Sequence, residues 1–359
     1  MAAGGTGGHL IPAVRIAEAI KDREKAARFL FMGSDRGFEE QVITARGEQY
    51  IGLPARGFER RKIWRNLRAV LDNRRASRMA RTSVREFDPQ AAVGCGGYAS
   101  YFPIRAARAL GVPYILQEQN RIPGLATKWL ASQAKRTFIA YEQTRQELSG
   151  CNNVEMAGNP VDHRLASMDR IEARRRWNLR SDETVVLVTG GSGGARSINA
   201  NVARGLARPC PSGPITLLWQ TGRNKAEWGG ASGSGWRVQE FEFTDAMTEA
   251  FVAADLIIAR AGALTVSEIA AAGRPAILVP FPHATADHQT HNARVLAEAG
   301  GAVMIADQQL GELSLLDKAC DLLKDREQLN SMGVASRSLG RPDAAGRIAD
   351  YVISLLPRV

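Results

Sequence analysis

Two glycine-rich stretches hold the residues in this sequence best suited to chemistry. The first is Gly4-Gly5-Thr6-Gly7-Gly8-His9 and the second is Gly190-Gly191-Ser192-Gly193-Gly194-Ala195-Arg196. The second follows Val185-Val186-Leu187-Val188, an apolar run that predicts a buried strand, and leads into Ser197–Ala203, which reads as the opening of a helix. Glycines permit positive φ and close approach of backbone to a ligand. A helix start leaves N–H groups unpaired and carries the positive end of the dipole, so strand, loop and helix together make an anion site. One such loop alone is equally well a tight turn without a ligand. Two of them point to two nucleotide-type domains facing each other.

A third stretch, Arg260-Ala261-Gly262-Ala263-Leu264-Thr265-Val266-Ser267-Glu268, repeats this logic after the strand-like Leu256–Ala259. A helix is expected to begin near Thr265, with Glu268 at the spacing of a capping box. Glu268 can equally accept hydrogen bonds from the vicinal hydroxyls of a ribose, as acids beyond nucleotide-fold strands do. His283, Asp287, His288 and His291 crowd the next loop. Their spacing matches no metal motif, so polar contacts to a sugar or plain solvation are expected there.

These residues need a scaffold, and the rest of the chain supplies its outline. The chain has 359 residues, more than a single core usually serves, so two domains are expected. Short apolar strands alternate with helical stretches throughout: Phe29–Gly33, Ala91–Gly94, Tyr114–Leu116 and Thr137–Ala140, then 185–188, 215–219, 238–241, 256–259 and 276–279. That alternation predicts α/β architecture with doubly wound parallel sheets. Gly158-Asn159-Pro160 reads as the interdomain turn, dividing residues 1–160 from 161–340. The final helix, within 341–359, presents Ile348, Tyr351, Val352 and Leu355 on one side and is expected to dock on the first domain. A helix from Leu10 to Lys25 is expected to carry Pro12 in its first turn. Gly229–Gly235 is expected to be a flexible loop. Met1-Ala2-Ala3 is short for the strand that should precede the first loop, so an upstream start is expected.

The net charge of +10 sits entirely in residues 1–160, which hold 25 Lys and Arg against 15 Asp and Glu; the remainder holds 22 of each. The first half is therefore expected to meet something anionic: a membrane surface, a nucleic acid or a phosphorylated substrate. Most of the excess lies in residues 60–85, where Arg61, Arg65, Arg68 and seven other cations face Asp72 alone. Ile63, Trp64, Leu67, Val70 and Leu71 interleave with them at helical spacing. A basic amphipathic helix carrying Trp suits an anionic membrane interface, and a packed helix with a solvated arginine face is the alternative. Nucleic acid is disfavoured, because no recognition motif or aromatic stacking series accompanies the charge. Cys95, Cys151, Cys210 and Cys320 form no paired motif, which fits a reducing compartment, and no run is long enough to span a bilayer.

Taken in order, the first glycine loop, Gly96-Gly97-Tyr98-Ala99-Ser100, Gln117-Glu118-Gln119-Asn120, Gly158-Asn159-Pro160, Gly190-Gly191-Ser192, Gly262–Glu268 and Asp287-His288-Gln289 closely resemble the MurG family. The likeness runs from Gly4 to the C-terminal helix. It implies a GT-B fold, with two Rossmann-like domains and an interdomain cleft. It implies transfer of N-acetylglucosamine from UDP-N-acetylglucosamine to the muramoyl sugar of lipid I, giving lipid II for peptidoglycan. The enzyme would sit peripherally on the cytoplasmic face of the bacterial inner membrane, and no cofactor is implied. By the same likeness Gly191, Ser192 and Gly193 hold the donor diphosphate and Glu268 the ribose. Backbone around Phe243 and Thr244 reads uracil, with Met247 beside it. Ala263, Leu264, Thr265, Gln289 and Asn120 complete the donor contacts. Thr6, Gly7, Gly8, Tyr98 and Ser100 face the diphosphate of lipid I, and Ile63, Trp64, Leu67, Arg61, Arg65 and Arg68 fall where the family touches the membrane. An arginine expected beside the nucleotide is replaced by Asp162, with Arg164 as its substitute. Glycine also follows Ser192 where the family commonly has glutamine or leucine.

The chemistry implied is in-line attack of the acceptor's C4 hydroxyl on the anomeric carbon, inverting α to β and releasing UDP. Fixed N–H donors stabilise the charge gathering on the leaving diphosphate. A general base takes the hydroxyl proton. His9 is the first candidate by type and position, and Glu118 is the reserve. The alternatives are another GT-B UDP-sugar transferase with a lipid acceptor, a dinucleotide-binding oxidoreductase and a non-catalytic membrane module. The oxidoreductase needs an acid about 20 residues past its glycines, and residues 205–216 contain none.

Overall fold

The computed structural model describes residues 1–5, 7–57, 65–210, 213–222 and 235–356, with only the helical backbone at 65–67. The expected contacts of Thr6, Arg61, Ile63 and Trp64, the loop at 229–234, and the side chains of Arg65 and Leu67 lie outside the described residues. The chain divides into two compact units, Met1–Pro160 with Asp343–Val359, and Val161–Pro342.

In the first unit the strands are β1 (Leu30–Ser34), β2 (Gln49–Leu53), β3 (Ala92–Gly94), β4 (Tyr114–Glu118), β5 (Arg136–Ile139) and β6 (Val154–Met156). The helices are α1 (Gly7–Arg23), α2 (Glu39–Thr44), α3 (Arg65–Phe87), α4 (Tyr101–Ala109), α5 (Leu125–Leu130) and α6 (Thr144–Glu147). All pairings are parallel, β1 with β2 and β3-β4-β5-β6 in sequence. Ala2 alone bridges the two sets, in parallel register with Met32 on β1 and Gly94 on β3. Its N–H donates to Val93 and its carbonyl accepts from Cys95. Toward β1 the Ala3 N–H donates to the Met32 carbonyl and the Met1 carbonyl accepts from the Met32 N–H, so three residues stand in for the central strand. The helix α1 begins inside the glycine run, so Pro12 falls in its second turn and the Gly8 carbonyl lacks its helical N–H partner.

The alternative expected for α3, a packed apolar stripe with a solvated arginine face, is not met at Val70 and Leu71. Ala76, Ala80 and Val84 are buried against β1, β2 and α4 and Ala69 is buried as well, whereas Leu71 is 65% exposed and Val70 37%. Alanines allow close helix approach, so small residues make the packing face and the larger apolar ones stay outside with Arg68.

In the second unit the strands are β7 (Thr184–Thr189), β8 (Ile215–Gln220), β9 (Trp236–Phe241), β10 (Leu256–Ala259), β11 (Ala276–Leu278) and β12 (Ala302–Met304). The helices are α7 (Arg164–Ser167), α8 (Arg170–Arg176), α9 (Arg196–Leu206), α10 (Met247–Ala253), α11 (Ala263–Ala272), α12 (His288–Glu298), α13 (Leu315–Lys324) and α14 (Arg326–Ser338). The six-stranded parallel sheet runs β12-β11-β10-β7-β8-β9. Read along the chain, this is the doubly wound order 3-2-1-4-5-6, whose topological switch lies between β7 and β10. Val185–Val188 are fully buried, as strands covered on both faces must be. The last helix, α15 (Ala344–Ser354), belongs to the first unit and buries Ile348, Ala349 and Val352 in the core of α1.

Candidate functional site

In the second unit, the ends of β7 and β10 pair through Thr189 and Ala259, and the loops that follow leave the sheet on either side of the switch. Gly191 (φ +81°) and Gly194 (φ +73°) both lie in the left-handed region. A Cβ on Gly194 would stand 2.3 Å from the Thr221 carbonyl oxygen, whereas one on Gly193 would meet nothing within 4 Å. The turn is held by the Gly191 N–H on Thr189 Oγ1 (3.1 Å) and the Gly194 N–H on the Gly191 carbonyl (2.9 Å). Ser192 and Gly193 project into solvent. The helix α9 then starts from Ala195, which supplies no side-chain cap, leaving its first N–H groups for an anion.

Behind this start lies a cluster to which the sequence alone assigned no role. Arg260 is buried at the end of β10, where Nη1 pairs with Asp307 (2.6 Å) and donates to the Val279 and Pro280 carbonyls, while Nη2 donates to Ser197 Oγ (2.7 Å). Ser197 in turn donates to Asp307 (2.6 Å). The triad ties the α9 start to β10 across the switch. An arginine following directly on a buried apolar strand was the available signal, because such a charge must find partners.

The helix α11 begins at Ala263 from Gly262, with no side-chain cap. That corrects the expected capping box: the helix starts two residues early, which puts Glu268 in the second turn rather than at the capping position. Ala263, Leu264, Thr265 and Glu268 are all half-buried along this start. Gln289 accepts from the Phe281 N–H (3.0 Å), and Thr290 closes on Asp287 (2.6 Å). His288 Nδ1 bonds the Thr285 carbonyl (2.7 Å), and among the described residues no three His, Cys, Asp or Glu side chains are placed to hold a metal. Phe243 is 73% exposed beside Thr244, whose Oγ1 accepts from Ala246 N–H, and Met247 opens α10. Arg164 is committed to buried Asp162 (2.7 Å) and Glu249 (3.4 Å); its hydrogen bond to Asp162 raises its pKa. Asp162 also accepts from Thr248 (3.1 Å), so it organises this corner rather than leaving a gap.

In the first unit, the loops after Ala2 and β3 meet. Gly5 (φ +95°) donates its N–H to Glu39 (2.9 Å), and Gly96 and Gly97 also have positive φ. A Cβ on Gly97 would stand 1.9 Å from the Gly4 carbonyl oxygen, and one on Gly96 3.0 Å from His9 Nδ1. His9, on the first turn of α1, places Nδ1 2.9 Å from Gln119 Oε1. Gln119 Nε2 donates to the Cys95 carbonyl (2.8 Å) and to Gln117, which fixes its oxygen toward the histidine. Gln117 Nε2 donates to Asn159 Oδ1 (3.0 Å), and Asn159 Nδ2 donates back to the Gln119 carbonyl (3.1 Å). Because Gln119 turns its amide oxygen to the ring, the neutral tautomer that fits this contact has its proton on Nδ1 and its acceptor at Nε2.

Glu118 is 2% exposed, and both its oxygens are engaged: Oε2 by Thr127 (2.6 Å) and Gly124 N–H (3.0 Å), Oε1 by the Asn120 N–H (3.1 Å). These bonds shape the 120–127 loop around it. Ser100 is likewise buried, closing its turn on the Gly97 carbonyl (2.8 Å), whereas Tyr98 is 40% exposed over Gly5, with Gly8 exposed nearby in sequence. A second apolar feature escaped the sequence reading: Leu125 and Trp129, one turn apart on α5, are 60% and 61% exposed, Trp129 standing edge-on to Tyr101 at 5.6 Å.

The chain matches the glycosyltransferase family 28 N-terminal domain over residues 1–139 and the C-terminal domain over 185–348. A Bacteroides fragilis protein named UDP-N-acetylglucosamine–N-acetylmuramyl-(pentapeptide) pyrophosphoryl-undecaprenol N-acetylglucosamine transferase is 38% identical, covering 98% of this chain and 94% of its own. The namesake from Chlorobaculum parvum is also 38% identical, covering 99% and 98%. The chain belongs to the MurG glycosyltransferases. The crystal structure of Acinetobacter baumannii MurG superposes with a TM-score of 0.74 at 27% identity, covering 99% of this chain and 98% of that one. The two parallel-sheet units are therefore the Rossmann-like pair of the GT-B class. A UDP-N-acetylglucosamine 2-epimerase from Neisseria meningitidis shares the fold at 12% identity and a TM-score of 0.67.

Proposed function

We infer that this chain transfers N-acetylglucosamine from UDP-N-acetylglucosamine to the C4 hydroxyl of the muramoyl sugar of lipid I, making lipid II. The observation that carries this reading is the uncapped α9 start behind the Gly190–Ala195 turn, set at the switch point of a sheet whose full-length relatives bear that activity in their names. The turn's amides and Ser192 hold the donor diphosphate, and the dipole of α9 stabilises charge as UDP departs. Glu268 takes the ribose hydroxyls. Thr244 and Met247 border the uracil, Ala263, Leu264 and Gln289 the sugar. His9 Nε2 accepts the C4 hydroxyl proton as the oxygen closes on the anomeric carbon, and Gln119 holds the tautomer that makes this possible. Gly5, Gly8 and Tyr98 line the acceptor's diphosphate.

The enzyme works as a peripheral protein on an anionic membrane, at its cytoplasmic face. Leu71 and Val70 beside Arg68 on α3, with Leu125 and Trp129 on α5, support that reading, because exposed large apolar groups among cations suit a lipid interface. No described helix is long and apolar enough to cross a membrane. The deciding experiment is transfer of labelled N-acetylglucosamine to a lipid I analogue. Product of lipid II mobility is expected; hydrolysis or epimerisation of the donor without transfer overturns the assignment.

A further inference from the structure

The carboxyl ends of β7 and β10 carry the donor loop, and the amino ends of the same sheet carry a second cavity. Asp255 precedes β10 there, and Gly273-Arg274-Pro275 leads into β11, with α8 and α14 alongside. Together they line a half-open cleft of about 320 Å³, with Arg170 and Arg274 half-buried in it and Arg326 and Arg337 exposed at its rim, at the lower end of the roughly 300–1,000 Å³ of small-molecule sites. The four residues of β10, about 13 Å of strand, separate this end from Arg260.

Four arginines line the cavity (Arg170, Arg274, Arg326 and Arg337) against one acid, Asp255. Asp255 is already engaged: one oxygen accepts from Arg170, the other from Arg174 (3.0 Å) and the Val185 N–H (2.8 Å). Among the described residues no carboxylate pairs with Arg274, Arg326 or Arg337. Guanidinium groups do not shed this repulsion by deprotonating at neutral pH. Burial first, and the nearby Arg170 next, lower Arg274 to about 10, with Asp255 opposing. The Nε–H groups of Arg170 and Arg274 are buried without an acceptor.

The space is built rather than left over. Arg326 and Arg337 lie eleven residues apart on one stripe of α14, with Gly333 between them. Gly273 sits at φ +61°, and a Cβ there would stand 2.6 Å from Arg337 Nε. Arg337 has a structural role at the carboxyl end of α11, where it donates to the Ala272 carbonyl (3.4 Å). Among the described residues nothing comparable engages the Arg274 or Arg326 side chain. Each guanidinium presents a planar fork that matches two oxygens of a tetrahedral oxyanion.

We propose that this cavity binds a small phosphate-class oxyanion, either free phosphate or diphosphate or the phosphomonoester headgroup of a lipid, at a site separate from the donor loop. Titration of the protein with inorganic diphosphate by calorimetry, at fixed ionic strength and with UDP saturating the donor site, tests it. One site per chain is expected. In an R326Q/R337Q variant diphosphate affinity falls at least tenfold while UDP affinity stays at the native value, which also shows that the variant is folded. R326K/R337K, keeping charge but losing the forks, falls in between. Absence of diphosphate binding under saturating UDP, or undiminished binding in R326Q/R337Q, overturns the proposal. Vesicles containing phosphatidic acid separate the sources. Sedimentation lost on the same substitutions assigns the headgroup; sedimentation retained beside the calorimetric loss assigns the free anion.

Discussion

The two glycine loops do opposite things with the same residue. In the second unit the loop is an arrangement of bare amides: its side chains are absent or point to solvent, and the helix behind it is uncapped. In the first unit the loop is backed by a relay of side chains, Asn159 to Gln117 to Gln119 to His9, ending in one nitrogen lone pair. On the proposed function one half offers hydrogen-bond donors to an anion, and the other offers an acceptor to a proton. An inverting transfer needs both, and the fold supplies them from separate copies of one architecture. The charge follows the same division, +10 in residues 1–160 and zero beyond.

That contrast breaks most sharply at His9. His9→Ala is expected to lower kcat by roughly 10²–10⁴-fold with UDP affinity unchanged by calorimetry; retained turnover removes the base from the first unit. Gly194→Ala attacks the other loop. Its Cβ would meet the Thr221 carbonyl in a left-handed residue, so UDP affinity should fall by about 1–3 kcal/mol, read by titration; native affinity would mean that the turn is not the cradle. Gln119→Leu keeps the histidine but removes what orients it, and kcat should drop about tenfold with the UDP dissociation constant intact. Equal losses in both would make Gln119 merely structural. Glu268→Ala should weaken UDP binding by about 1–2 kcal/mol, whereas binding of 2′,3′-dideoxy-UDP, which lacks the ribose hydroxyls, should not change on the substitution. Leu71→Ser with Trp129→Ser should reduce sedimentation with anionic vesicles several-fold, and transfer to a soluble acceptor analogue should continue.

The strands around the two switch points were legible because parallel strands buried on both faces read as continuous apolar runs, as at 185–188 and 256–259. The edge strands β2 and β12 were not. Gln49–Leu53 is mostly half-exposed and contains Gly52, and Ala302–Met304 has three residues, so neither carries a periodic signal. On α3 the alanines pack, and alanine spacing carries a weaker signal than the large apolar residues that stay exposed. At the site, residue types suffice to nominate His9 and Glu268, whereas partners stayed hidden: Glu118 is held inside its loop by Thr127, Gly124 and Asn120, and Arg260 by a carboxylate 47 positions away. Hydrogen-bond partners distant in sequence decide such roles, and no spacing rule encodes them.

The helix α15 has a consequence for synthesis. The first unit takes its final core residues, Ile348, Ala349 and Val352, from beyond the whole of the second. At about 5–20 residues per second a ribosome needs on the order of 10–40 s to deliver them after Pro160 has been added. During that interval the later-made unit, which is contiguous, can finish while the earlier one still exposes the groove that α15 will fill. In this chain the order of birth and the order of completion are reversed, so a nascent-chain chaperone should dwell longest on the amino-terminal half.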